Sequence, residues 1–188
     1  MKERIEMCLS GSGGQGLILA GIILAEAAGI YDGKEAIQTQ SYGPEARGGA
    51  SRSEVVISND SIDYPKVIKS DILLALTQAA CDKYVKNLNK EGILVADSTL
   101  IKEVPTILNK IYLFPIAETA QKKFRTKLVT NIISLGIIVG LTGVVSQEAI
   151  QKAVYSKVPA KAREVNEKAL LLGFDIAKDL KAKRQESK

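Results

Sequence analysis

The segment Ser10-Gly11-Ser12-Gly13-Gly14-Gln15-Gly16 constrains the fold more than any other part of the chain. Ahead of it, Ile5 to Leu9 has strand character; behind it, Leu17 to Ala28 reads as a helix. A G-x-G-x-x-G pattern carries meaning in that strand–turn–helix setting. Glycine tolerates positive φ and lets another backbone or a ligand come close. The helix directs unpaired N–H groups at the turn, where an anionic group is favoured. Two readings follow: a phosphate or dinucleotide site, or a tight βα turn that packs a glycine-edged helix on a sheet.

The helix is expected to stop around Gly29–Gly33, and Glu35 to Gln40 supplies a second strand that completes a βαβ unit. A dinucleotide site places an acid about 20 residues beyond its glycines to hold the ribose. This strand ends in Gln38, Thr39 and Gln40 instead, and Arg47 lies well beyond it, so an ordinary nicotinamide or flavin site is disfavoured. The loop Ser41 to Gly49 follows. Its three glycines and Pro44 exclude a regular element, while Tyr42, Glu45 and Arg47 give it chemistry to offer. It leaves the carboxyl end of a strand, on the same sheet edge as the first turn.

Ser51–Ser58 has strand character and is expected to form an edge hairpin with the segment around Ile62–Pro65. Asp71–Leu76 and Gly92–Asp97 are apolar runs suited to parallel strands buried on both faces. Between them a helix is expected from Thr77 or Gln78 through Leu88, with Ala79, Ala80, Tyr84, Val85 and Leu88 on its apolar face. Asp97-Ser98-Thr99 either lines the sheet edge or forms a turn, and Ile111–Pro115 closes the strands. Leu128 to Gly143 carries no charge but is shorter than the roughly 20 residues of a membrane span. Its Gly136/Gly140 pair therefore points to close packing in a core. Ser146 caps the next helix, with Glu148 in its first turn. A last helix, about 160–180, places Val165, Ala169, Leu172 and Ile176 on one face, and the charged tail Lys181–Lys188 is expected to fray. The sum is a single α/β domain over 1–188. A Rossmann-like, mostly parallel sheet flanked by helices occupies 1–127, and a helical C-terminal region, 128–180, packs on it.

Composition removes several functions. With no histidine in 188 residues, the commonest general base and metal ligand is missing. Cys8 and Cys81 are too few and too far apart for a zinc or iron–sulfur set. A net charge of +5 with sparse aromatics offers no stacking platform, so nucleic acid is not expected as a partner. The charged start Met1–Glu6 does not read as a signal peptide, and a cytoplasmic location is expected.

These motifs resemble the gamma subunit of 2-oxoacid:ferredoxin oxidoreductases. The family's G-x-G-G-Q-G turn is matched by Gly11, Gly13, Gly14, Gln15 and Gly16. Its Y/F-G-P-E-x-R-G-G loop is matched by Tyr42, Gly43, Pro44, Glu45, Arg47, Gly48 and Gly49. Asn131 with Leu135-Gly136, and Asn166 with Ala169 and Gly173, match later features. The loop is closer to the 2-oxoglutarate or branched-chain type than to the pyruvate type. The resemblance implies an accessory subunit of a complex that decarboxylates a 2-oxoacid oxidatively to its acyl-CoA and reduces ferredoxin. Thiamine diphosphate and iron–sulfur clusters belong, on this resemblance, to other subunits: alpha, beta and, as a further candidate, a ferredoxin-like delta. The resemblance assigns this chain no catalytic residue and no metal ligand. Gly11, Gly13, Gly14, Gln15, Gly16, Tyr42, Glu45 and Arg47 are the candidates for contacting coenzyme A or a partner subunit. A free-standing Rossmann oxidoreductase and a pure docking module are the alternatives.

Overall fold

The computed structural model describes residues 3–41, 50–105, 108 and 110–186. Their strands are β1 (Arg4–Ser12), β2 (Glu35–Ser41), β3 (Ala50–Ser58), β4 (Ser70–Ala75), β5 (Leu88–Asp97) and β6 (Lys110–Phe114). They form one sheet in the order β2-β3-β1-β4-β5-β6. β1, β4, β5 and β6 pair in parallel, while β3 runs antiparallel to both β1 and β2. Five strands thus point one way, and their carboxyl ends share one edge. The sheet is mixed, of the Rossmann-like kind, with helices on both faces.

The expected βαβ crossover is present, but β3 lies between β1 and β2. The hairpin of β3 is also different from expectation: its neighbour is β2, and residues 59–69 contain no strand. Arg4 and Glu6 hold that segment down instead. Glu6 accepts from the backbone N–H of Ile68 at 2.7 Å, and Arg4 donates to the Tyr64 carbonyl at 2.8 Å.

Alternation along the central strands divides the core. Met7, Leu9, Val55, Ile57, Leu74 and Val95 face α1 (Leu17–Glu26, continued by a π-helical turn at Ala27–Tyr31) and α4 (Thr130–Thr142). Cys8, Leu73, Ala75, Leu94 and Ala96 face Ala80, Cys81 and Tyr84 of α2 (Gln78–Tyr84). Leu88, expected in that helix, belongs to β5, because a 3₁₀ turn at Val85–Asn87 ends the helix early. Ala79 points to solvent.

Every residue from Thr130 to Val139 is buried, so α4 is a core helix, as its uncharged sequence required. It crosses α6 (Arg163–Glu186) at glycines. A Cβ on Gly136 would lie 2.8 Å from the Gly173 Cα, and one on Gly140 would lie 2.5 Å from the Ala177 Cβ. The buried stripe of α6 is therefore Ala169, Leu170, Gly173, Ile176 and Ala177, with Val165 and Leu172 only half-buried. The tail does not fray where expected: α6 continues through Glu186. Between these helices, α3 (Ile116–Phe124) and α5 (Gln147–Lys157) complete the layer. Ser146 caps α5 as its sequence suggested, accepting from Ala149 N–H at 3.1 Å. Asp32 accepts from both the N–H and the hydroxyl of Ser146, at 2.6 Å each, and so ties the end of α1 to α5. Among the described residues no helix is long and apolar enough to cross a membrane.

Candidate functional site

The shared carboxyl edge collects the turn after β1 and both ends of the 42–49 loop. β2 leads into that loop at Ser41 and β3 resumes at Ala50, which pairs with Ser12. The loop therefore starts and returns beside the glycine turn. Tyr42, Glu45 and Arg47 lie outside the described residues.

The turn is built in two halves. Gly11 is buried, and an added Cβ would run into the Gln15 side-chain oxygen and stand 3.1 Å from the Leu76 Cβ. That Gln15 oxygen accepts from the Ser12 N–H at 2.7 Å, so the glutamine braces the turn from inside. Gly16, at φ 71°, precedes α1 in the left-handed region that favours glycine. The Asn131 amide donates to its carbonyl at 3.0 Å and would stand 2.5 Å from a Cβ there. Gly11 and Gly16 are thus closed by packing, and the side-chain oxygen of the half-buried Gln15 is engaged by Ser12.

Gly13 and Gly14 are not. Both are exposed, and a Cβ on either would meet nothing within 4 Å. Behind them α1 has no side-chain cap, and its first backbone bond inside the helix is Ala20 N–H to the Gly16 carbonyl at 3.0 Å. The opening N–H groups and the positive end of the helix dipole therefore lie at an open turn, an arrangement that suits an anion or an acceptor group.

Several other polar residues near this edge are spent on structure, although the buried Thr99 hydroxyl has no hydrogen-bond partner among the described residues. Asp97 is fully buried and accepts from the N–H groups of Thr99, Ile116 and Ala117 at 2.9, 3.2 and 2.8 Å. It caps α3 from another strand, which sequence reading left undecided. Thr77 caps α2, and Gln78 accepts from Lys102 and Glu103 N–H at 2.9 and 3.1 Å. Asn131 emerges here as the clamp on the turn. Its sequence signal was the family match of Asn131 with Leu135-Gly136, which did not say what the residue would touch.

Both thiols lie on the second face of the sheet, reduced and buried. Burial foremost, then the Glu54 charge, pushes Cys8 up to about 12, with Arg52 opposing. Burial also raises Cys81. Such thiols are poor ligands and nucleophiles. Among the described residues no group of three His, Cys, Asp or Glu is placed to hold a metal ion.

A mixed sheet with a glycine turn of this build defines a class, and the sequence matches it. The family described as pyruvate ferredoxin/flavodoxin oxidoreductase covers residues 6–176, and this chain belongs to it. Within it, the chain is 48% identical over 182 residues to the 2-oxoglutarate synthase subunit KorC of Methanocaldococcus jannaschii, covering 96% of this chain and 97% of that one. The keto/oxoacid ferredoxin oxidoreductase gamma subunit of Geobacter sulfurreducens superposes with a TM-score of 0.84 at 52% identity, over 92% and 98% of the two chains. The fold alone is shared with the 2-oxoglutarate:ferredoxin oxidoreductase of Magnetococcus marinus, solved with 2-oxoglutarate, coenzyme A and succinyl-CoA bound. There the TM-score is 0.80 at 22% identity, over 96% of this chain but 31% of that one.

Proposed function

We propose that this chain is the accessory gamma-type subunit of a cytoplasmic 2-oxoglutarate synthase, which converts the oxoacid to its acyl-CoA and reduces ferredoxin. The end-to-end 48% identity with a KorC subunit carries this reading. Thiamine diphosphate and the clusters reside on other subunits, alpha and beta with a ferredoxin-like delta. Two buried thiols raised by desolvation are unsuited to cluster ligation here. The open half of the turn, Gly13 and Gly14, acts with Tyr42, Glu45 and Arg47 at the assembled site. The uncapped start of α1 fits a phosphate of coenzyme A; a carboxylate or carbonyl of a partner subunit is the alternative acceptor. Arginine's planar fork serves either partner.

Native purification tests the assignment: the chain co-elutes with the other synthase chains, and coenzyme A-dependent ferredoxin reduction follows the complex. Activity of the isolated chain with a 2-oxoacid would reject it. In the complex, Arg47→Ala decides the role of the loop. A ten-fold higher coenzyme A requirement with intact assembly supports the phosphate contact, and lost assembly supports docking. A variant unchanged in both respects would remove the loop from the site.

A further inference from the structure

Helix α1 is apolar nearly all round. Between Leu17 and Tyr31 the one charged residue is Glu26. Its inner face meets the sheet and α4, yet its outer stripe also consists of Ile18, Leu19, Ile22 and Ile30. Ile30 is 73% exposed. Other surface helices look different: α3, α5 and α6 carry the exposed ion pairs Glu118–Lys122, Glu148–Lys152 and Glu164–Lys168. A helix without free charge on any face is the kind that ends up covered. Glu26 does not alter this, because Lys157 and Ser156 of α5 hold its carboxylate.

At the end of the stripe Tyr31 forms one wall of a cavity of about 360 Å³, whose apolar lining is completed by Val154, Tyr155 and Leu170 and which Lys152, Arg163 and Glu167 also line. Tyr155 is 56% exposed, and the Arg163 guanidinium lies 3.9 Å over its ring while its Nε donates to the Tyr155 carbonyl at 3.2 Å. Stripe and cavity together make an apolar patch with a socket, the pattern of an interface with an anchoring side chain.

We infer that the outer face of α1 and this cavity are the docking surface for a second, non-identical subunit of the synthase. That subunit covers the stripe with an uncharged apolar surface and seats one apolar side chain in the cavity. The inference rests on the subunit reading above and adds the face by which assembly occurs. Charge selects the partner's chemistry. The carboxylate on the stripe and the ammonium groups of Lys152 and Lys157 beside it are already paired within the chain, the Arg163 guanidinium is stacked on Tyr155, and Glu167 on the cavity wall opposes an anion, so an acidic peptide or nucleic acid gains little here. A non-identical chain, rather than a second copy, is favoured by the relatives that match this chain end to end, each of which is named as one subunit, KorC, of a 2-oxoglutarate synthase.

The test co-expresses the full chain with the other synthase subunits and recovers the complex through a tag on one of them. Ile22→Lys and Ile30→Lys both alter exposed positions, and circular dichroism checks that each folds. Each is expected to lower recovery of this chain in the complex at least ten-fold. Ile68→Lys, at a site 70% exposed away from α1, is expected to incorporate as wild type does. Wild-type recovery of both α1 variants would overturn the inference while leaving the subunit reading intact. So would an isolated wild-type chain that is dimeric by light scattering and dissociated by Ile22→Lys, since a second copy would then be the occupant. Failure of the wild-type chain itself to incorporate would overturn the subunit reading, and this inference with it.

Discussion

At Gly173 an added carbon would stand 2.7 Å from the Gly136 Cα, whereas at Gly13 and Gly14 the same carbon would meet nothing within 4 Å. The first pair lets two helices touch along their backbones. The second pair leaves backbone bare at an open sheet edge, beside an uncapped helix. In sequence these glycines are equivalent; their surroundings separate packing from contact. The same division runs through the G-x-G-G-Q-G turn, where Gly11 and Gly16 are closed by Gln15 and Asn131.

The largest effect is expected where packing is tightest. Gly173→Ala forces α4 and α6 apart, and overpacking of this kind typically costs about 1–3 kcal/mol. Urea unfolding should show a lower midpoint at unchanged slope. An unchanged midpoint would show that the helices can separate freely and would end the distinction between the two sets of glycines. Next in size is Asn131→Ala, which removes the clamp on the Gly16 carbonyl. A net hydrogen bond of this type is worth roughly 1 kcal/mol. The loss should also raise hydrogen exchange in the first turn of α1, a readout that a distant core mutation would not share.

The far end of α1 gives a smaller, pH-dependent effect. Burial raises the Glu26 carboxyl, but hydrogen bonds from Lys157 and Ser156 with the Lys157 charge outweigh it, and the net shift is downward. A lowered folded-state pKa contributes stability above the ordinary carboxylate value of about 4.3 and loses it as pH falls through the folded value. Glu26→Gln should therefore cost up to about 1 kcal/mol at pH 7 and nothing at strongly acid pH. A difference that persisted in acid would mean that the pairing with Lys157 is not its source.

The sequence was most informative where one signal decides one element. The strand–turn–helix start, the doubly apolar β4 and β5, the uncharged α4 and the Ser146 cap all follow from local pattern. Pairing was harder. β3 inserts between β1 and β2, and nothing within Ser51–Ser58 says which neighbour it will choose. Leu88 suited helix and strand equally until Asn87 ended the 3₁₀ turn. α6 outlasts its apolar stripe, and Arg184 lies 5.3 Å over the Tyr112 ring of β6 near its end. Within the site, the glycine positions were legible, but which of them stand open was not. That depends on Gln15 folding back and on Asn131 arriving from 115 residues away.

The smallest expected change in stability is also the most direct test. Gly13 does not adopt positive φ, and its surroundings are empty, so Gly13→Ala should leave the unfolding midpoint unaltered within about 0.5 kcal/mol. If the open half of the turn is a contact site, the same methyl group should lower assembly, or raise the coenzyme A requirement of the assembled complex, by ten-fold or more. Wild-type stability with one of those two functions impaired is the result the account predicts. A variant that is equally stable, assembles normally and keeps its coenzyme A dependence would contradict it, and the turn would then be only a chain reversal.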